Sequence, residues 1–599
     1  MQILMWVLKL FLIVSLQPPI LAQAQKDVQA TAAAEAAAPA CFEGDRVALL
    51  GFKARIFRDT TDILSSWTGK DCCGGGWEGV ECDPATGRVI RLILQRPVDQ
   101  GLSNFMKGIL SPTLGNLHFL EVMVISGMKR IAGPIPQSFS NLTRLTQLIL
   151  EDNFLQGDIP SNLGHLPLLQ TLSLSGNRLT GQIPPALGNL RNLQQLSLAR
   201  NSLTGPFPIS FKNLISLQSI DLSYNLLSGN IPDFMGQFRN LTYLVLTSNQ
   251  LSGQIPISLC SLIKLSELSL GHNRLVGKIP PQIGNLKSLA ILSLVSNQLI
   301  GQIPESIAQM QNLWNLNLSR NLFADPLPNT LPSGLPSLLS LDLSYNNFDL
   351  GTVPQWIRTR ELSSIYLAGC KLRGTLPNFT TPDSLSSLDL SDNYFTEGIS
   401  NFFTRMTTLE QAKLSNNQLK SDVSAIKLPD GLSSIDLHSN QLYGSLSSIL
   451  SNKTSKFLEA VDISNNQISG TIPEFSNSLN LKVLNMASNK LTGYIPNSIS
   501  NLAKLERLDI SRNQIGGTIP TSLGLLLKLQ WLDLSINTLS GKIPDSLLQI
   551  QALRHASFRA NRLCGEIPQG RPFNIFPPVT YAHNLCLCGR PLPPCKGKK

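Results

Sequence analysis

The sequence predicts a solenoid, in which one short strand-and-turn unit repeats along the chain and stacks into a long parallel sheet with a cap at each end. Three observations predict it. The consensus L-x-x-L-x-L-x-x-N-x-L-x-G-x-I-P recurs at nearly constant spacing. Cysteines crowd both ends of the chain and are sparse between them. The 599 residues exceed what one ordinary core can hold, which asks for several domains or one repetitive stack. Hydrophobic residues at 42% against charged residues at 15% exclude a disordered chain. The net charge of +10, from 49 Lys+Arg and 39 Asp+Glu, is a mild basic bias over so long a chain. It suits acidic carbohydrate or an acidic partner without choosing between them.

The chain opens on MQILMWVLKLFLIVSLQPPILAQAQ, an apolar run carrying only Lys9 and ending in Ala22-Gln23-Ala24. Small-x-small is the pattern of signal peptidase cleavage, so residues 1–24 read as a signal peptide. The run is short and broken by Pro18-Pro19, which argues against a membrane anchor. The mature chain is expected to start near Gln25 with a charge of +9, Lys9 having been removed. Residues 25–40 form an Ala-rich leader with no apolar periodicity. No later segment offers the ~18 consecutive apolar residues of a membrane span, and no apolar tail calls for a lipid anchor. The expectation is a secreted protein of the extracellular space or cell wall.

Cys41, Cys72, Cys73 and Cys82 mark a cap over residues 41–86, and Cys564, Cys586, Cys588 and Cys595 mark another over 564–599. Adjacent Cys72 and Cys73 are unsuited to pair with each other, since a disulfide needs opposed Cβ vectors. The favoured scheme is Cys41–Cys72 with Cys73–Cys82, and Cys564–Cys586 with Cys588–Cys595. Zinc is the rival for such clusters, but neither has a paired C-x-x-C arrangement, and export favours disulfides.

Between the caps the unit appears as "LQTLSLSGNRLTGQIP" and "LERLDISRNQIGGTIP". Its asparagine returns every 23 to 26 residues, from Asn153 to Asn561, with Cys370 at the position once and Met128 on the turn before Asn153. Residues 120–568 thus hold nineteen turns, and 87–119 a degenerate one before them. This is the leucine-rich repeat signature. In L-x-L the leucines point inward and the intervening side chain outward. The asparagine can satisfy backbone groups where the strand bends; glycine allows the tight return, and proline fixes φ there. No turn buries its leucines alone, so the two ends must be capped. The predicted fold class is an α/β leucine-rich repeat solenoid: a parallel β-sheet on the concave face, short 3-10 or irregular segments on the convex side, and disulfide-stapled caps.

The G-x-I-P variant resembles the plant-specific class of these repeats. The opening "CFEGDRVALLGFKARI…ILSSWTGKDCCGGGWEGVECDPATGRVIRL", with Trp67, Trp77 and the Cys72-Cys73 pair, resembles the plant N-terminal cap. The ending "NRLCGEIPQGRPFNIF…AHNLCLCGRPLPPC" resembles the C-terminal cap of polygalacturonase-inhibiting proteins and of secreted relatives named for DNA-damage repair/toleration. Plant receptor ectodomains are similar too. Two departures stand out: the inhibitors have about half as many repeats, and many receptor-like proteins carry a long island, an acidic stretch and a membrane span. Here no step exceeds 26 residues and only Lys596 to Lys599 follow the last cysteine, so a solenoid closed at both ends is the expectation.

No catalytic motif is present: there is no G-x-S-x-G, no H-E-x-x-H, no phosphate loop and no kinase motif. His555 and Ser557 beside Asp533 superficially suggest a hydrolytic triad, but a flat sheet provides neither pocket nor oxyanion site. No concentrated basic stripe points to nucleic acid. Cys370 reads as a structural substitute in the asparagine row. Asp436, Asp462, Asp509 and Asp533, with Asn485, recur at one outward position; such a row could bind calcium or a basic partner, yet Asp is routine in "LDLS" turns and a solvated face is the preferred reading. No cofactor or metal is expected. Sequons at Asn141, Asn240, Asn317, Asn378 and Asn452 read as glycosylation sites.

The function expected is non-enzymatic extracellular recognition of a protein, a peptide or a cell-wall polysaccharide on the concave face. Inhibition of a pathogen's pectin-degrading enzyme is the version the resemblance implies. The alternative is a receptor or co-receptor ectodomain signalling through a membrane-bound receptor kinase. Outward positions are mostly Ser, Asp, Gln and Thr, with two exceptions. One is central: Trp314, Asn315, Arg320, Tyr345 and Tyr366. The other is C-terminal: Glu506, Arg507, Asp509 and Arg512, then Trp531 and Asp533, then Arg554, His555 and Arg559. Exposed Trp with Arg is the composition of binding hot spots. A glycan on Asn317 would obstruct the central patch, so the C-terminal patch is the expected contact surface.

Overall fold

The computed structural model describes residues 40–96, 104–450 and 456–595. The expected signal peptide, nearly all of the leader, and Asn452 lie outside the described residues.

The N-terminal cap begins with a helix, Glu43–Lys53, whose Ala48, Leu49 and Phe52 are buried on one face. Asp45 is buried on that helix as well. Its carboxylate accepts hydrogen bonds from Arg88 Nε at 2.8 Å, Arg88 Nη2 at 2.9 Å and the Val89 N–H at 2.9 Å. The Arg88 guanidinium in turn lies over the rings of Phe42, at 4.3 Å, and Phe119, at 4.1 Å. A desolvated carboxylate is tolerated only when its oxygens are partnered in this way. Trp67 stacks on Trp77 at 5.4 Å, and disulfides join Cys41 to Cys72 and Cys73 to Cys82. Strand Val80–Cys82 then pairs antiparallel with Val89–Gln95, covering the edge of the first turn.

From Val89–Gln95 onward, each turn adds one parallel strand to an open sheet that ends at His555–Ser557. The degenerate turn and the nineteen repeats each contribute one strand. In the strand Gln195–Ser197, Leu196 is buried and Gln195 and Ser197 face outward. The same alternation runs along the whole sheet, so every repeat sends leucine or isoleucine into one continuous core. Burying each such side chain contributes about 1.5–3 kcal/mol, and only stacked neighbours make that burial complete.

The asparagines form a ladder. Asn177 Nδ2 donates to the Leu150 carbonyl on the preceding turn at 2.8 Å and to Leu174 on its own at 3.0 Å, while its Oδ1 accepts from the Leu155 N–H at 3.0 Å. The sequence reading ended this row at Asn561. It continues to Asn584 inside the C-terminal cap, where Nδ2 reaches the carbonyls of Phe558 and Tyr581 and Oδ1 accepts from the Leu563 N–H at 3.1 Å. The sequence signal here is weak: Phe576, Val579 and Tyr581 keep the leucine spacing before Asn584, but Pro578–Tyr581 is a 3-10 turn in which Val579 is exposed and Tyr581 alone of the three is fully buried. At Cys370 the sulfur lies 3.6 Å from the Leu343 carbonyl and 3.7 Å from that of Ala368, where an amide would sit.

Beyond each asparagine the sequence predicted only a glycine-dependent return. The structure forms a second row of short parallel strands there, as in Arg178–Thr180 against Phe154–Asp158. Repeats of equal length bring these extended residues into register, and backbone groups that meet in register pair. Single 3-10 turns such as Pro185–Asn189 complete the convex side. An added Cβ on Gly188 would come within 2.5 Å of the Ser210 carbonyl oxygen, so the bare backbone there sets how closely successive turns stack. At the far end Phe558, Phe573 and Tyr581 pack over the last leucines, with disulfides Cys564–Cys586 and Cys588–Cys595. Cys260 and Cys370 are buried free thiols.

Candidate functional site

Strand register decides which outward side chains meet. Arg507 pairs with Trp531 and Trp531 with His555 across three successive strands, while Asp509, Asp533 and Ser557 form the parallel column two residues on. In the first column the Arg507 guanidinium lies 4.8 Å over the Trp531 ring, and the His555 ring stacks on Trp531 at 3.6 Å and 15°. The three side chains are one continuous cation–aromatic–aromatic stack on the concave sheet. The buried Nε1–H of Trp531 has no hydrogen-bond partner. A buried donor left unpaired costs free energy.

The second column is held by its own turns. Asp509 Oδ1 accepts from the Ser511 N–H at 3.1 Å and its hydroxyl at 2.7 Å, and Asp533 Oδ1 accepts from the Ser535 N–H at 2.9 Å. Burial pushes the Asp509 carboxyl up, with nearby Asp533 adding to the rise and the Ser511 bonds opposing it. Glu506, Arg512, Arg554 and Arg559 are exposed around the stack. The superficial triad does not assemble, because the His555 ring lies on Trp531 and register sets Asp533 beside Ser557.

In the central patch, side chains are committed elsewhere. Arg320 lies over the Tyr345 ring at 4.4 Å, the Tyr345 hydroxyl donates to Asp392, and the Tyr366 hydroxyl donates to Ser387 Oγ at 2.9 Å. Trp314 and Asn315 are half-buried on the adjoining turn. Asn317 Oδ1 accepts from the Ser319 N–H and hydroxyl, at 3.0 and 2.7 Å. Asn141, Asn240 and Asn378 are exposed.

The same local logic accounts for the acidic row. Asp462 Oδ1 takes the Ser464 N–H and hydroxyl, and its Oδ2 takes Asn485 Nδ2 at 2.8 Å. Asp436 Oδ1 is 2.7 Å from His438 Nδ1, a histidine variant of the same turn. Asp436, His438 and Asp462 lie close enough together to share a metal ion, but Asp436 Oδ1 and both Asp462 oxygens already bond within these turns.

Comparison with known proteins agrees with this frame. Leucine rich repeat models match residues 191–251, 457–515 and several shorter stretches, and the leucine rich repeat N-terminal domain matches 43–83. The DNA damage-repair/toleration protein DRT100 of Arabidopsis thaliana is 32% identical over 119 residues, 19% of this chain and 32% of that protein. The chain thus matches about a third of that relative's length. The ectodomain of the Arabidopsis thaliana receptor kinase GASSHO1/SCHENGEN3, solved with CASPARIAN STRIP INTEGRITY FACTOR 2, superimposes with a TM-score of 0.71 at 34% identity, covering 88% of this chain and 65% of that one. The Arabidopsis HAESA ectodomain, solved with an IDA peptide hormone, gives 0.58 at 30% identity over 91% and 98%. Among the described residues no helix is long and apolar enough to cross a membrane. The chain belongs to the plant leucine-rich repeat proteins, with homologues that include DRT100, a polygalacturonase inhibitor and the ectodomains of receptor kinases.

Proposed function

We propose that this chain is a non-enzymatic extracellular recognition protein that binds an extended peptide or protein segment along its concave face, at the C-terminal repeats. The observation that carries the reading is the Arg507–Trp531–His555 stack on the outward face, with Arg512, Arg554 and Arg559 exposed near it. An extended peptide can set its carbonyls and acidic side chains against the exposed arginines and its apolar side chains against the exposed part of this stack. Four exposed arginines on these turns, Arg507, Arg512, Arg554 and Arg559, tempered by Asp509 and Asp533, favour a ligand with acidic groups over a strongly basic one. The complex of the HAESA ectodomain with an IDA peptide hormone lends support by kinship.

The test is capture from cell-wall extract with the glycosylated, disulfide-intact protein, followed by calorimetry on the identified ligand. Trp531→Ala and Arg507→Ala are each expected to weaken binding by about 1–3 kcal/mol with the fold intact. Wild-type affinity in both variants, together with loss in Trp314→Ala, would move the contact surface to the central patch. A receptor-complex role is the second reading, favoured by kinship to a HAESA ectodomain solved with the co-receptor SERK1. Ligand-dependent capture of a receptor-kinase ectodomain would establish it over a stand-alone binder.

A further inference from the structure

Asn378, Pro377, Pro382, Phe402, Arg405 and Met406 line a cavity of about 200 Å3 on the flank of the solenoid, far along the chain from the C-terminal stack. The residue at its mouth is itself a sequon asparagine, exposed and followed by Phe379 and Thr380. Pro377 and Pro382 are buried and give the cavity rigid apolar walls. Phe402 is half-buried, stands 6.4 Å from Phe379 and 5.2 Å from Phe403, and presents an aromatic surface backed by other rings. Asn401 and Arg405 are exposed at the rim and offer donors.

We propose that Asn378 carries an N-linked glycan whose first N-acetylglucosamine docks into this cavity, stacked against Phe402. The inference rests on the extracellular reading of the chain. Tethering selects the occupant: a sugar bonded to Asn378 Nδ2 is held at the cavity mouth at a high effective concentration, whereas a free ligand of that size would bind weakly. The cavity is too small for a drug-sized molecule and suits one pyranose ring. The C–H-rich face of such a ring packs on an aromatic plane, and its acetamido and hydroxyl groups meet the rim donors. At two other sequons the amide oxygen is already engaged. Asn240 Oδ1 is held by Lys264 Nζ at 2.9 Å, and the Asn317 carbonyl oxygen is held by Ser319. Docking would make this sugar part of the wall of the solenoid and would cover the Phe402–Met406 turn.

The test uses the full chain secreted from a glycosylating host as a high-mannose glycoform, mapped by glycopeptide mass spectrometry. Enzymatic trimming to the single first sugar leaves only the docked ring. Native-state trypsin cleavage after exposed Arg405 is expected to be slower by about threefold or more in this trimmed protein than in Thr380→Ala, which lacks the sequon but keeps every cavity residue. Phe402→Ala, still glycosylated, is expected to lose the protection. Equal cleavage of trimmed wild type and Thr380→Ala would overturn the proposal, as would an unmodified Asn378 beside glycosylated Asn141 and Asn240. Should Asn141 and Asn240 be unmodified too, the extracellular reading falls with it.

Discussion

The Tyr345 hydroxyl donates a 2.6 Å hydrogen bond to Asp392 Oδ2, reaching over Gly369 on the turn between them. All three residues occupy the position just before the ladder, where the backbone is left-handed: φ is 53° at Tyr345, 64° at Gly369 and 54° at Asp392. Burial, and then the bond to Asp392, push the Tyr345 phenol up to about 12. With Arg320 on its ring and its hydroxyl bonded to Asp392, Tyr345 is engaged by its own protein.

Gly369 makes this reach possible. A Cβ there would lie 3.0 Å from Tyr345 Cδ1, in a conformation that costs an L-residue about 1–2 kcal/mol. Gly369→Ala is expected to lower unfolding free energy by at least that amount, against about 0.5–1.5 kcal/mol for Tyr345→Phe, which loses only the exposed bond. Urea titrations of both variants decide it; an equal or smaller loss for Gly369→Ala would show that the backbone there is not the constraint.

Trp531→Phe separates stability from binding. The variant keeps an aromatic ring between Arg507 and His555 and removes the unpaired Nε1–H. Without ligand its thermal midpoint should equal or exceed wild type, because an orphaned buried donor costs about 1–3 kcal/mol. Ligand affinity should fall. A lower midpoint would mean that the packing lost with the larger indole outweighs the cost of its orphaned donor.

Asp509→Asn is expected to raise stability near neutral pH by a few tenths to about 1 kcal/mol. Asparagine already serves this position elsewhere, with Asn485 Oδ1 accepting from the Ala487 N–H at 3.2 Å. Burial raises the Asp509 pKa, so its protonated form is the one the fold favours. The penalty for the aspartate is therefore absent below the unfolded value of about 3.9 and grows as pH rises through the folded one. Melting curves from pH 3 to pH 7 should show the advantage of Asp509→Asn appearing only as pH rises.

Burial holds the Cys260 thiol at about 11 and Cys370 at about 12, so neither is expected to react with a disulfide reagent until the chain is denatured. Cys370→Asn should then restore the amide of the ladder and stabilise the central turns by about 1 kcal/mol. Thiol counting in native and denatured protein checks the first expectation, and denaturant midpoints check the second.

At the N-terminal cap, Asp45→Asn leaves the half-buried Arg88 between two rings without its counter-charge, a break that costs up to about 3 kcal/mol. In a solenoid the damage stays near its origin. Hydrogen exchange should therefore quicken in Glu43–Lys53 and the first turns while the strands near Arg507 keep their protection.

The architecture was legible because it is written locally. Each L-x-L reports its strand, each asparagine its bend, and the constant step reports the stack, so no long-range information was needed to see the sheet. The C-terminal turn around Asn584 escaped because it has no L-x-L strand: Pro578–Tyr581 is a 3-10 turn, and Phe573 and Tyr581 supply its buried side chains. The second row of strands escaped for a different reason: Arg178–Thr180 has little strand pattern of its own and pairs only because its neighbour arrives in register.

The sequence by itself determined the repeat, the inward and outward faces, the capped ends and the columns of residues a ligand could meet, since all of these follow from periodicity along one chain. Only the tertiary structure decided what neighbouring columns do to each other. It turned Arg507, Trp531 and His555 into one stack, drew Tyr345 away to Asp392 across a glycine, spent the acidic row on its own turns, and opened a cavity beside Asn378. Those outcomes depend on rotamers, burial and contacts between residues some 24 positions apart, and repeat spacing carries no trace of them.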